Sequence, residues 1–199
     1  MKLHSRIYGW KYVWMEFAEE FKASVDDPNP DSSHTRMSIS VPITDTGWVL
    51  VYTMVPKGMA KNDQTAIDVE YKANGNFKFA IHPQNWLDGF GKLLGMQDIV
   101  VGQPEFDKHF IVKSNDEKLV KQYFKDTVLA KQLLDEPTIQ LWANCDNEEH
   151  STVRATTAGC TRLCLRVQGA VDDFERLKQF YRLKHRALHN LVQIGAAVH

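Results

Sequence analysis

Apolar residues recur along this chain in two periods, and the switches between them mark out its elements. Trp10, Val13, Trp14, Phe17 and Phe21 fall at i, i+3, i+4, i+7 and i+11, an aromatic stripe on one helix face that reads as core. Prolines and aspartates in residues 26–33 then interrupt the period and predict an exposed loop. Further on the period falls to two. Met37, Ile39, Val41 and Ile43 alternate with Arg36, Ser38, Ser40 and Pro42, so this strand buries one face. Residues 48–55 are apolar on both faces, as an interior strand is.

Residues 65–71 and 76–82 read as a hairpin. A three-residue loop, Ala73-Asn74-Gly75, aligns Tyr71 with Phe77, Val69 with Phe79 and Ile67 with Ile81, and sets Glu70 opposite Lys78. A two-residue loop would put the two apolar sets on opposite faces. A short helix is expected over residues 86–94, packed closely at Gly89 and Gly91, with a short strand over 98–101.

The window Gly102–Asp116 holds a turn, a strand and a helix start. On the strand, Phe106, Lys108, Phe110 and Val112 share one face, and Asp107, His109, Ile111 and Lys113 the other. Ser114-Asn-Asp-Glu117 has the form of a capping box, with Leu119, Val120, Tyr123 and Phe124 facing inward behind it. Asp126 is placed to cap a second short helix ending near Leu133-Leu134, before Pro137. Three strands follow, over 138–143, 152–157 and 162–167. A long helix near 171–194 closes the pattern, with Asp172 as its cap and Phe174, Leu177, Tyr181, Leu188 and Leu191 on its apolar side.

The expected fold is α+β: a mostly antiparallel sheet of seven or eight strands with helices on one side. The N-terminal aromatic helix and the long C-terminal helix should pack near each other on it. At 199 residues the chain is read as one globular domain, long enough to bury roughly 70% of its unfolded surface. Its hydrophobic fraction of 43% and charged fraction of 25% are those of a soluble protein. Three cysteines argue against a disulfide framework and for a reducing compartment. No apolar run approaches the roughly 20 residues of a membrane helix, and the N-terminus has no signal-peptide core, so the expected address is the cytoplasm. The net charge of −1 is uneven: from residue 151 onward eight Lys/Arg face three acids, a balance of +5 against −6 before it.

Candidate chemistry is sparse. No phosphate-binding glycine loop, nucleophile elbow or paired C-x-x-C occurs, so no cofactor, metal or catalytic residue is assigned. His185 and His189 have a metal-compatible i, i+4 spacing, but Arg186 stands where a zinc protease has glutamate, and a solvated basic face is the better reading. Cys145, His150, Cys160 and Cys164 lack zinc-site spacing and read as inert. Asp107 beside His109, with His82 and Trp86, forms the candidate ligand cleft, since a carboxylate orients and charges an imidazole.

The segment Gly102-x-x-x-Phe106-Asp107-x-x-Phe110-x-Val112, with its lead-in Leu93-Leu94-Gly95-x-Gln97-Asp98-Ile99, resembles a motif of uncharacterised bacterial domains over the middle third of the chain. The resemblance implies a shared fold unit and brings no activity with it.

Three functional readings follow. The first is a non-catalytic module that binds a protein partner or a second copy of itself, or that serves as a structural accessory. The second is a small-ligand site or enzyme at His82, Trp86, Asp107 and His109. The third is an anion or nucleic-acid surface formed by Arg162, Arg166 and the basic C-terminal helix; the chain as a whole is not basic, which speaks against nucleic acid.

Overall fold

A computed structural model describes residues 9–32, 34–57, 63–85, 96–143 and 160–198. In chain order the helices are α1 (Trp10–Glu20), α2 (Pro104–His109), α3 (Glu117–Tyr123), α4 (Thr127–Leu134) and α5 (Phe174–Gln193). The strands are β1 (Ser24–Asp26), β2 (Met37–Pro42), β3 (Val49–Val55), β4 (Gln64–Ala73), β5 (Phe79–Pro83), β6 (Gln97–Asp98), β7 (Phe110–Ser114), β8 (Gln140–Ala143), β9 (Cys160–Gln168) and β10 (Ala197–Val198). The predicted helix over 86–94 and strand over 152–157 lie outside the described residues.

All described strands join one antiparallel sheet in the order β1-β2-β3-β4-β9-β8-β5-β7-β6, with β10 beside the end of β4. The α+β class therefore stands as expected from the pattern. One face of the sheet carries the main core. Ile39, Tyr52, Ile67, Leu165, Leu141, Ile81 and Val112 meet Trp14, Phe17, Phe106, Tyr123, Leu133, Phe180 and Leu191 from the five helices. The opposite face holds a smaller cluster of Ala80, Trp142 and Cys164.

The aromatic stripe of α1 packs as predicted. Trp14 is fully buried and donates its indole N–H to the Val171 carbonyl at 2.8 Å, while Phe17 stacks near Tyr52 and Phe174. Phe21 lies 4.8 Å from the Tyr181 ring, so α1 and α5 are neighbours on the sheet. Lys11 holds the following loop through Asp27 and the Asn29 carbonyl.

Several local expectations need correction. Residues 65–71 and 76–82 do not form a hairpin: β4 pairs with β3 and β9, and β5 with β7 and β8. Strand β4 is buried on both faces, and both of its edges are taken, by β3 and β9. Its Asn74 end turns instead toward the C-terminus, donating to the carbonyls of Ala196 and Gly195. Glu70 consequently faces Arg162, not Lys78.

The strand expected from Phe106 begins only at Phe110, and residues 104–109 are helical. Phe106 and Phe110 are four apart, a spacing that suits both periods. Pro104 at the first helical position and the Asp107 carboxylate decide between them. That carboxylate accepts from the amides of Val101, Gly102 and Gln103, each at 2.9 Å, and so ties the turn to the helix start. Gly102 takes φ +89° there, which only glycine adopts freely. Both phenylalanines remain buried, 5.0 Å apart.

Two caps also shift. Asp116, not Ser114, caps α3, accepting from the Leu119 amide, while the Ser114 hydroxyl donates to the Lys78 carbonyl from the end of β7. Asp173, not Asp172, caps α5 through the Arg176 amide. The predicted Asp126 cap of α4 is present, accepting from Val128 and Leu129.

Candidate docking groove along the C-terminal helix

Helix α5 is amphipathic, and its two sides differ in chemistry as well as polarity. Leu177, Phe180, Leu183, Ala187, Leu188 and Leu191 face the sheet. Lys184 falls on that same side by its spacing from Phe180 and Leu188, and it is fully buried, so it stands apart from the solvated basic face expected around His185 and His189. Its Nζ donates to the Leu163 carbonyl of β9, and burial pulls the ammonium's pKa down to about 7.

The outward side borders an open groove of about 720 Å³. Tyr181, Arg182, His185, Arg186, His189, Asn190 and Gln193 form its long wall, with Asp126 and Gln132 from α4 and Ile43 and Thr44 after β2 opposite. Helix geometry makes this wall about 18 Å long at 1.5 Å per residue. Asp126 anchors the groove's frame. Besides capping α4, it takes a two-pronged ion pair from Arg186 and a 3.0 Å bond from Asn190. Partial burial raises the Asp126 pKa, but the bonds from Arg186, Asn190 and the cap amides outweigh it and leave the carboxyl below the usual carboxylate range. Tyr123 of α3 seats α5 from beneath through a 3.2 Å bond to the Ala187 carbonyl.

Arg186 is thus neutralised, whereas Arg182 and His185 are exposed and have no hydrogen-bond or ion-pair partner among the described residues. Among the described residues His189 pairs with Gln193, at 3.0 Å between their nitrogens. The side-chain oxygen of Gln132 accepts no hydrogen bond from the described residues.

The residues singled out from the sequence are placed as follows. His82 is buried on β5, on the Ala80 face of the sheet, with a ring nitrogen 3.2 Å from the Pro83 carbonyl. Burial lowers its pKa, and its charged neighbours are Lys113 and Asp98. Asp107 is engaged by its three amides, and His109 is exposed with Nδ1 2.7 Å from the Glu105 carbonyl. Trp86 lies outside the described residues. The groove on α5 includes none of the other three.

Arg166, offered as an anion contact, is instead buried in a two-pronged pair with Asp68, beneath the Trp142 ring at 5.0 Å. Arg162 turns to Glu70. Cys164 is buried beside Asp68, and burial, reinforced by that carboxylate, pushes its thiol up to about 12. Cys145 and His150 lie outside the described residues. Among those described, no three His, Cys, Asp or Glu side chains gather into a metal site, and no helix is long and apolar enough to cross a membrane.

No family model and no curated protein matches the chain. Among solved structures, its fold is similar to that of the mycobacterial trehalose monomycolate transport factor A, with a TM-score of 0.63 at 10% identity over 96% of this chain and 99% of that one. At that identity the likeness is one of fold.

Proposed function

We propose that this chain is a non-catalytic accessory module that docks a protein partner along α5. One contrast carries the reading. The buried and half-buried charges Arg166, Arg176 and Asp107 close on internal partners: Asp68, Glu136 and backbone amides in turn. Along the groove, Arg182 and His185 face solvent with none. A long open groove lined by exposed polar side chains suits another chain better than a small molecule, which prefers an enclosed apolar site. The similar fold of a protein described as a transport factor accords with an accessory role and adds no residue to it.

Site-specific photo-crosslinking in the producing cell tests this. A photoreactive residue replaces Thr44 or Gln193 in the groove, or the exposed Val100 as a control. A discrete adduct should form from the groove positions and not from Val100. Adducts from neither, or equally from both, would overturn the reading.

A further inference from the structure

We infer that the groove's partner is an acidic peptide segment, with carboxylates over Arg182 and the two histidines and an uncharged side chain over Tyr181. This rests on the docking reading above and adds the chemistry of the occupant. Charge complementarity gives the sign. Arg182, His185, Arg186 and His189 recur along two turns of α5, and Asp126, the one acid lining the groove among the described residues, is already held by Arg186 and Asn190. An incoming carboxylate therefore meets an unneutralised guanidinium and, among the described residues, no free acid of the groove.

Length separates a peptide from a bare anion, and the groove also offers a peptide an acceptor. The wall of about 18 Å matches a helical segment of about twelve residues, whereas a single phosphate occupies one end of it. Gln132, half-buried in the opposite wall, has an oxygen engaged by nothing among the described residues. Rotated toward the groove, it accepts from a peptide N–H. Tyr181 supplies the apolar footing that a mixed segment needs, its ring already packed against Phe21.

A displayed random library of about twelve-residue peptides, selected on the whole chain, provides the probe. Enriched peptides should carry Asp or Glu at i, i+4 spacing. Their binding should weaken at least tenfold in Arg182→Glu with His185→Glu, and should fall with added salt. Both positions are exposed, so an unchanged thermal midpoint verifies folding. No enrichment, enriched peptides without acids, binding equal in the variant, or displacement by inorganic phosphate or short single-stranded DNA as effective as by free peptide would each overturn the acidic-peptide assignment. Crosslinked adducts in the groove together with any of those results would leave the docking reading standing and sink only the partner's chemistry. Absent adducts would sink both.

Discussion

Lys184 sits among leucines with its amine on a backbone carbonyl, and burial favours its neutral form. Its pKa is about 7 in the fold against 10.5 ordinarily, so between those values the unfolded chain binds a proton that the folded chain does not. Stability due to this residue therefore rises with pH from about 7 toward 10.5 and is flat below 7. Lys184→Met, which keeps length and removes the charge, should abolish that rise and leave the protein at least as stable at pH 7. Parallel urea titrations of parent and variant at pH 7 and pH 9 give the comparison; an unchanged difference between the two pH values refutes the assignment. Cys164 offers a second residue-scale test. With its thiol pushed to about 12 and shielded, it should resist thiol reagents at pH 8 until denaturant is added. The half-buried Cys160 should react in the folded state, in a Cys145→Ser background. Labelling of both at equal rates would contradict the burial. The buried position of Lys184 was legible in principle. It continues the spacing of Leu177, Phe180, Leu188 and Leu191, and only its charge hid it.

At the scale of elements, the pattern was readable wherever a single period ran long enough. The stripe of α1, the alternation of β2, the Asp126 cap and the apolar side of α5 all emerge from spacing alone. Partners were not readable that way. Residues 65–71 alternate like half of a hairpin, but alternation says which face is buried, not which strand lies alongside, and β4 found β3 and β9. The window from Phe106 failed for a related reason, since an apolar pair four apart suits either period and the deciding contact comes from Asp107 to amides before it. The groove was missed because its frame, Asp126 with Arg186 and Asn190, joins residues about 60 positions apart. Asp126 performs both as cap and as ion-pair acceptor, and its removal acts on both helices. Asp126→Ala should cost about 1–2 kcal/mol from the lost cap. It should also free Arg186, so the variant's groove gains a cation and binds acidic peptides more tightly even as urea resistance falls. A variant that loses stability and peptide binding together would show that Asp126 builds the groove's shape rather than tempering its charge.

Across the whole molecule, the sheet is joined at its middle by β4 and β9, which pair over nine positions from Gln64↔Gln168 to Lys72↔Cys160. The buried Asp68–Arg166 pair lies within that seam, under Trp142 from β8, so it touches three consecutive strands. Two charges in such a place cost several kcal/mol each to desolvate, and their attraction roughly offsets this only while both are present. Burial opposes the charge on Arg166, yet Asp68 outweighs it and keeps the guanidinium firmly ionised. Asp68→Ala therefore strands a cation between the strands and should cost about 3–5 kcal/mol, a large share of the stability of an ordinary domain. Restoring neutrality by the double change Asp68→Leu with Arg166→Met should recover most of that loss, because apolar side chains of similar volume need no partner. Because the pair bridges the seam, the single variant should lower hydrogen-exchange protection on β8 as well as on β4 and β9, whereas the double variant should restore all three together. A double variant as unstable as the single one would mean that the pair contributes geometry the seam cannot form without, and the sheet's register would then depend on this ion pair rather than on its apolar faces.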